Sequence, residues 1–380
     1  MKKVSYISAL LVASSCLVVS SCSSWNSPSV PESVDITSGT KVLSAISLTP
    51  KMFVSLDERT CSVPDGLAID AKGDIILSAP NYIDYEKVGG AKLFRIDKNR
   101  KVSTWFSDLP AHPDTGKVHP MGIEFGPDGN LYIADNQYFN NQDYKSRLLR
   151  VVVENGQPVR CEVAATGFKL ANAVRWHKGK VYVSDTHFDL ADTPNQSGVY
   201  AISLEELNKG EVKLKKNGKD SHLVAQYTAK SLPGGAKNDG ADGVTFDNEG
   251  RMYSGRFGDG VISRTTFDAK GKPLSQEVVV DDPSINCCDG ITCDPATNKI
   301  YITNSKRNSI HVYDVNQGTF RIISENGNTT GAGGLLDQPC EPLVYGNKLI
   351  VVNFDMPFPG MKNTKHDSPV SISVLPLLKK

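Results

Sequence analysis

ADGVTFDNEGRMYSGRF (241–257) has two short apolar strands, alternating with polar residues, on either side of a polar turn. This alternation around a turn is the pattern of a β-hairpin. The pattern occurs five more times, in PDGLAIDAKGDIILSAP (64–80), PMGIEFGPDGNLYIADN (120–136), ANAVRWHKGKVYVSDTH (171–187), CDGITCDPATNKIYITNS (288–305) and CEPLVYGNKLIVVNFD (340–355).

The spacing of these six segments determines the expected architecture. Their second residues lie 47 to 70 residues apart, and each interval has room for another strand pair. Four strands in every roughly fifty residues are typical of a propeller blade. The sequence therefore predicts an all-β, six-bladed β-propeller.

The last blade needs a strand from elsewhere in the chain. After the sixth segment only one clear strand remains, VSISVL (370–375), and VLSAISL (42–48) is available to complete the blade. Such a blade joins the two chain ends and removes an open sheet edge. We therefore predict one propeller domain over residues 41–380, with residues 42–48 closing the last blade.

The N-terminus has the form of a secretory signal, with Lys2 and Lys3 before an apolar stretch over 4–19. Residues 19–22 (VSSC) resemble the bacterial lipobox, which implies removal of 1–21 and lipidation of Cys22. The Ser- and Pro-rich residues 22–40 then form a flexible tether. Two alternatives remain: cleavage near Ser23 or Ser24 without lipidation, and a weaker lipobox at LVASSC (11–16). We expect an exported bacterial lipoprotein, facing the periplasm from the outer membrane in a Gram-negative cell.

Composition excludes several classes of protein. The 42 Lys and Arg residues balance the 42 Asp and Glu residues, which argues against nucleic-acid binding, since that needs a concentrated basic surface. With 39% apolar and 22% charged residues, the chain is neither disordered nor a multi-span membrane protein. We expect a monomer that binds a small molecule and reaches the membrane through its lipid.

The residue that opens the innermost strand of each blade faces the mouth of the central channel. Carboxylates crowded there would repel one another, and a bound cation would offset that repulsion. Oxygen donors suit Ca²⁺, with Mg²⁺ or Mn²⁺ as alternatives, whereas structural zinc would need Cys or His. The alternative explanation is that Asp-Gly pairs simply form turns. The six positions are Asp65, Met121, Asn172, Asp242, Asp289 and Glu341.

Over residues 41–380 the sequence resembles the family of senescence marker protein, gluconolactonase and luciferin-regenerating enzyme, and more distantly the fluorophosphatase and paraoxonase propellers. Asn172 in LANAVRW and Asp289 in CCDGITCD match residues that hold one divalent metal in that family. The resemblance also implies a ligand role for Asp242. Asp65 stands where the family has Glu, which either moves the metal toward blade one or transfers part of the role to Glu341. Met121 departs from a polar position and is expected to contact substrate.

The resemblance also implies catalytic roles. Asp289 is the expected nucleophile or general base, with Asp242 as the alternative and His187 as a proton carrier. The second strand of each blade ends beside the start of the first, so its last residues also belong to the metal face. The candidate pocket residues are His119, Asn136, Arg256, Asn304 and Asn353. The loops 82–92, 136–147, 186–198 and 354–369 are expected to line the pocket.

Six cysteines remain after the signal and the lipidated residue, an even number that permits disulfides in an exported protein. A link from Cys340 to Cys288 or to Cys61 would join neighbouring blades. The sequence alone does not choose among the fifteen possible pairings. The six residues are Cys61, Cys161, Cys287, Cys288, Cys293 and Cys340.

Two functions agree with these patterns. The first is a metal-dependent hydrolase of a lactone or related ester. The second is a non-enzymatic, lipid-tethered propeller that binds or scaffolds and keeps the metal for its structure. GxSxG, HExxH and phosphate-loop motifs are absent from the sequence, which removes serine esterases, zincins and nucleotide hydrolases.

Overall fold

The computed structural model describes residues 39–188, 195–233 and 238–378, and six β-sheets dominate these residues. Each sheet is one blade of a propeller, so the predicted all-β, six-bladed architecture is confirmed. Residues 1–38, which include Cys22, lie outside the described part of the chain. In the described part, no helix is long and apolar enough to cross a membrane.

The blades follow one another along the chain. Two short strands come first, β1 (Lys41–Val42) and β2 (Lys51–Ser55). Blade 1 has β3 (Leu67–Ile69), β4 (Ile75–Ala79), β5 (Lys92–Ile96) and β6 (Val102–Phe106); blade 2 has β7 (Pro120–Phe125), β8 (Leu131–Asp135), β9 (Ser146–Glu154) and β10 (Gln157–Phe168). Blade 3 has β11 (Ala171–His177), β12 (Lys180–Asp185), β13 (Gln196–Ser203) and β15 (Leu223–Thr228). A short helix α1 (Leu204–Leu207) and β14 (Val212–Lys213) lie between β13 and β15, and β14 joins the edge of blade 2.

The second half of the chain repeats this arrangement. Blade 4 has β16 (Ala241–Phe246), β17 (Met252–Arg256), β18 (Ile262–Phe267) and β19 (Pro273–Val280). Blade 5 has β20 (Ile291–Asp294), β21 (Lys299–Asn304), β22 (Ser309–Asp314) and β23 (Thr319–Glu325). A 3-10 turn at Ala332–Gly334 precedes blade 6, which has β24 (Pro339–Tyr345), β25 (Lys348–Asn353) and β26 (Ser371–Pro376). The predicted hairpins form the two inner strands of each blade.

An N-terminal strand closes the last blade, but the predicted strand was the wrong one. β2 pairs antiparallel with β26, with Val54 opposite Ile372. β1 instead pairs in parallel with β23, on the outer edge of blade 5, and the amides of Leu43 and Leu48 donate to carbonyls of the same blade. The choice follows from burial, since Phe53 in β2 enters the hydrophobic core, whereas Val42 is 48% exposed.

Tyrosines on the second strands fill the space between blades. Tyr132, Tyr182, Tyr253 and Tyr301 occupy the same position in four successive blades, and all are buried. Tyr132 packs edge-on against Trp176 of the next blade, with ring centroids 4.8 Å apart. Large aromatic side chains in this position bury much apolar area per residue, which holds neighbouring blades together.

Neighbouring inner strands approach each other closely at the glycine that follows the ring residue. A Cβ on Gly243 would lie 2.4 Å from the carbonyl oxygen of Asp289, and one on Gly66 would lie 2.5 Å from that of Met121. The Gly243 amide donates to the same Asp289 oxygen at 3.0 Å. Neither glycine has a positive φ. Asp-Gly at these positions therefore reflects the packing of blade on blade, and turn chemistry does not explain it.

We expect Gly243→Ala to lower the free energy of unfolding by about 2–3 kcal/mol, because the added methyl group meets rigid backbone. Thermal unfolding followed by circular dichroism would measure the change. Gly327→Ala is the matched control, because Gly327 is exposed, has no positive φ and would place its Cβ in open space. Equal melting temperatures for the two variants would contradict this account of the glycine.

The six described cysteines are all free, so the predicted link of Cys340 to Cys288 or Cys61 is absent from the structure. The Cys340 sulfur lies 3.8 Å from the carbonyl oxygen of Asp65, and Cys288 packs its sulfur against Gly255. These two sulfurs thus have separate contacts, one between blades 6 and 1 and the other between blades 5 and 4.

Candidate active site

A cavity of about 350 Å³ opens where the innermost strands begin. Its floor is formed by residues that open five of the blades, and its walls by loops from blades 2 to 6. Five of the six predicted ring residues line it: Asp65, Met121, Asn172, Asp242 and Asp289. The repeat thus brings three carboxylates and one amide from four different blades to a single cavity.

The carboxylates have few partners of their own. Asp289 accepts a hydrogen bond from the Ser305 hydroxyl at 2.5 Å. Asp65 and Asp242 are buried, and within the described residues neither carboxylate has a hydrogen bond or an ion pair. Lys306 is the cationic side chain among the lining residues, and its ammonium donates to the carbonyl oxygen of Gly258 at 2.7 Å.

Burial and mutual repulsion raise the pKa of these carboxylates. The pKa of Asp65 rises well above its usual range through burial, then through the charges of Asp289 and Glu341. The pKa of Asp242 rises for the same reasons, and Asp289 and Asp65 supply the largest repulsion. Burial raises the pKa of Asp289 to about 7, although the bond from Ser305 opposes the shift. Ionisation of all three carboxyls together on the cavity floor would therefore require a compensating positive charge.

The donor set suits a hard divalent cation. All four donors present oxygen, three carry a charge and one is a neutral amide, the mixture that Ca²⁺ and Mg²⁺ bind in proteins. At least one pair of the three carboxylates lies farther apart than 4.8 Å, unlike the closer group of Asp337, Asp355 and Asp367 in blade 6. Asp65, Asn172, Asp242 and Asp289 are the lining residues that could hold such a cation, and their ligand role stays a prediction.

Glu341 lies apart from the cavity lining. It forms an ion pair with Arg175 at 2.5 Å, and Arg175 also donates to the carbonyl oxygen of Ile291. Glu341 still contributes to the repulsion on Asp65 and Asp242. The charge of Glu341 is already paired with Arg175, so Asp65 is better placed to complete the predicted ligand set. The ligand roles of Asp65 and Glu341 both stay predictions.

His187 reaches the cavity through a neighbour. Its Nε2 lies 2.8 Å from Oδ1 of Asp239, and its ring stacks on Tyr138 at 4.8 Å between centroids. Asp239 and Tyr138 both line the cavity. A proton on His187 would thus reach the cavity by way of Asp239.

The remaining pocket predictions divide into two groups. Met121 and Asn136 line the cavity. His119, Arg256, Asn304 and Asn353 lie outside its lining, because each is held by other groups. His119 stacks on Tyr82 at 4.3 Å, Arg256 pairs with Asp259 at 3.0 Å, Asn304 accepts from the amide of Arg307 at 3.2 Å, and Asn353 donates to Ser371 and Ser373 at 3.0 Å.

The apolar walls were not predicted residue by residue. The loops 136–147 and 354–369 do line the cavity as expected, through Phe139, Phe354, Phe358 and Met361, and Thr186 lines it from the loop 186–198. No residue of the predicted loop 82–92, which the structure describes in full, belongs to the lining. Leu232 and Phe257 contribute from blades 3 and 4.

Four polar residues were missed, and only their positions near blade ends signalled them: Asn238, Asp239, Lys306 and Gln338.

Comparison with known proteins supports the fold. No family model and no curated protein matches the chain. A luciferin-regenerating enzyme matches with a TM-score of 0.58 and 12% identity, over 87% of this chain and 96% of its own. A calcium-binding regucalcin from Agrobacterium tumefaciens matches with a TM-score of 0.54 and 14% identity, over 88% and 95%. A gluconolactonase from Xanthomonas campestris matches with a TM-score of 0.52 and 12% identity, over 87% and 95%.

At these identities the likeness establishes the fold. The resemblance to gluconolactonase, regucalcin and luciferin-regenerating enzyme is confirmed at that level. A glucose dehydrogenase of Thermus thermophilus has a TM-score of 0.55, so propellers of different activity match equally well. Function has to be argued from the site.

Proposed function

We propose that the protein is a metal-dependent hydrolase of a lactone or related ester with an apolar portion. The observation that carries the proposal is the convergence of three buried carboxylates and Asn172 on the floor of a cavity with aromatic walls. The likeness to a gluconolactonase and to a calcium-binding propeller agrees with it.

Four residues would hold the cation: Asp65, Asn172, Asp242 and Asp289. A divalent cation bound there supplies Lewis-acid polarisation of the ester carbonyl. Asp289 is the residue proposed for the chemistry, because it lines the cavity and Ser305 fixes one of its oxygens. Burial raises the pKa of this carboxyl, and a bound cation would oppose that shift and keep it ionised, as a base requires. Asp289 either takes the proton of the attacking water or attacks the carbonyl directly.

The chain's other groups position and carry protons. Asp242 is the alternative base, and Asp239, whose charge helps to raise the pKa of Asp242, lies 2.8 Å from Nε2 of His187. The side-chain amide of Asn136 also lines the cavity, where it is available to hydrogen-bond a substrate oxygen. Thr186 and Asn238 line the cavity too, but the Thr186 hydroxyl already donates to the carbonyl oxygen of Ala241 and Nδ2 of Asn238 to that of Lys230, both at 2.7 Å. These groups would bind and orient the substrate, whereas the three carboxylates would set the charge of the cavity floor.

The walls indicate the class of substrate. Phe139, Phe257, Phe354 and Phe358 present aromatic surface, and the volume of about 350 Å³ lies at the small end of ligand pockets. An acyl or aryl lactone would bury its apolar part against these rings, whereas a free sugar lactone would leave hydroxyls facing them. We therefore expect apolar lactones to be hydrolysed with the higher kcat/KM.

A panel of lactones and esters, assayed with and without a chelator, tests the proposal. We expect hydrolysis that chelator abolishes and that added Ca²⁺, Mg²⁺ or Mn²⁺ restores. If no member is hydrolysed with any of these ions while Ca²⁺ still raises the melting temperature, the protein is instead the non-enzymatic, metal-stabilised propeller.

We also propose that Cys22 is lipidated and anchors the domain to a membrane, on the basis of the lipobox-like VSSC at 19–22. Cys22→Ser should move the protein from the membrane fraction to the soluble fraction, because the lipid would be its only anchor. Fractionation with and without detergent measures this. Ser24→Ala is the matched control, and equal membrane partition of wild type and Cys22→Ser would refute the anchor.

A further inference from the structure

A second acidic group lies in the loops of blade 6, away from the central carboxylates. Asp337 precedes β24, Asp355 follows β25, and Asp367 lies just before β26. One oxygen of each lies within 4.8 Å of the others. None of the three lines the central cavity.

Two of these carboxylates have a buried oxygen without a partner among the described residues. Asp337 is 1% exposed, and its Oδ1 has no hydrogen-bond partner among the described residues. The buried Oδ1 of Asp367 has none there either. An unpaired polar atom away from water is costly, so something besides the described side chains should satisfy these oxygens.

Asp355 differs because it already has donors. Its oxygens accept from Nδ2 of Asn363 at 2.7 Å and from the amide of Asp367 at 3.0 Å, and Nδ1 of His366 lies 3.2 Å away. These bonds fix the Asp355 carboxylate in place beside the other two. The group is therefore a built arrangement in which one member is oriented and two are unsatisfied.

The local charge is also uncompensated. Three carboxylates face one imidazole, that of His366, whose Nδ1 lies 3.2 Å from Asp355, and the charge of Lys365 also acts on Asp367. Repulsion of this kind is relieved either by a shared proton or by a bound cation.

We propose that Asp337, Asp355 and Asp367 form a second divalent-cation site, of the calcium class, which fastens the segment 354–369 to the start of β24. The donors are all oxygen and carry charge, the set that hard cations select. The unpartnered oxygens of Asp337 and Asp367 point to a ligand that the described residues do not supply.

The site would act on the shape of the cavity. The segment 354–369 carries Phe354, Phe358 and Met361, which form part of the cavity wall. A cation held by all three carboxylates would fix both ends of this segment, because Asp355 and Asp367 flank Phe358 and Met361, and Phe354 directly precedes Asp355. The inference does not depend on hydrolysis, since its ligands are separate from Asp65, Asn172, Asp242 and Asp289.

The test is a calcium titration of the full chain after removal of metal with a chelator. Isothermal titration calorimetry should show one fewer bound Ca²⁺ in Asp337→Asn and in Asp367→Asn than in wild type. Asp108→Asn is the control, because Asp108 is an exposed carboxylate just after blade 1, far in sequence from the three proposed ligands. Asp367 is only partly buried, so its variant keeps the test valid if Asp337→Asn fails to fold.

A local readout separates this site from the central one. Lys365 is exposed, so trypsin cleavage after it reports on the segment 354–369. When Ca²⁺ is present at a hundred times its Kd, cleavage should slow roughly 100-fold, because binding lowers the population of the opened segment by that factor. Asp289→Asn should keep this protection, whereas Asp337→Asn and Asp367→Asn should lose it. If both variants bind as much Ca²⁺ as wild type, or Ca²⁺ leaves cleavage after Lys365 unchanged, the group holds a shared proton and the proposal is wrong.

Discussion

Asp289→Asn should lower the kcat for lactone hydrolysis by roughly 10²–10⁴-fold, the range that a positioned acid or base contributes. The substitution keeps the size of the side chain and one oxygen donor but removes the charge and the ability to accept a proton. The Ser305 hydroxyl, which donates to this side chain at 2.5 Å, retains an oxygen to bond. Steady-state kinetics at saturating metal would show the loss mainly in kcat, with a smaller change in KM.

Two comparisons make the result interpretable. Asp108→Asn, an exposed carboxylate, should leave kcat unchanged, and unaltered circular dichroism would show that Asp289→Asn still folds. Asp242→Asn tests the alternative base. Wild-type turnover in Asp289→Asn together with full metal binding would rule out the proposed role, and a large loss in Asp242→Asn alone would transfer that role to Asp242.

The repeat made most of the site predictable. Position two of each segment lies within two residues of the start of an inner strand, so its place in the pattern predicts a place on the ring. Asp65, Met121, Asn172, Asp242 and Asp289 accordingly line one cavity. Glu341 follows the same rule along the chain, but its ion pair with Arg175 depends on a contact between blades that the repeat does not encode.

The residues that sequence misplaced depend on long-range contacts. Arg256 and Asn353 lie at the predicted strand ends, yet Asp259 holds the first and Ser371 and Ser373 hold the second. The aromatic wall from Phe354 to Met361 comes from a loop whose path no periodic pattern specifies. A period-two pattern fixes which face a strand residue occupies, whereas loop side chains are placed by their tertiary partners.

The closure of the propeller by an N-terminal strand also depends on long-range contacts that the sequence pattern does not specify. Residues 42–48 and 51–55 both contain apolar residues with strand-like spacing, so the pattern alone cannot say which segment meets β26. The structure gives that place to β2, which directs Phe53 into the core, with Leu56 buried just beyond. Residues 41–48 instead follow blade 5.

Removal of β2 should therefore abolish cooperative folding. A chain that begins at Asp57 loses the burial of Phe53 and Leu56, worth about 3–6 kcal/mol together, and leaves the edge of β26 unpaired. That loss approaches the whole stability of an ordinary domain. A chain that begins at Pro50 keeps β2 and loses the pairing of β1 with blade 5 and the packing of Ile46 and Leu48, so it should still unfold cooperatively at a lower melting temperature.

Point substitutions in the full chain separate closure from simple shortening. Phe53→Ala should lower the free energy of unfolding by about 3–5 kcal/mol, because Phe53 is 6% exposed and lies in the core of the closing blade. Val42→Ala should change it by less than about 0.5 kcal/mol, because Val42 is 48% exposed. Denaturant unfolding measures both. A larger loss in Val42→Ala than in Phe53→Ala, or cooperative unfolding of the chain that begins at Asp57, would show that β2 does not close the propeller.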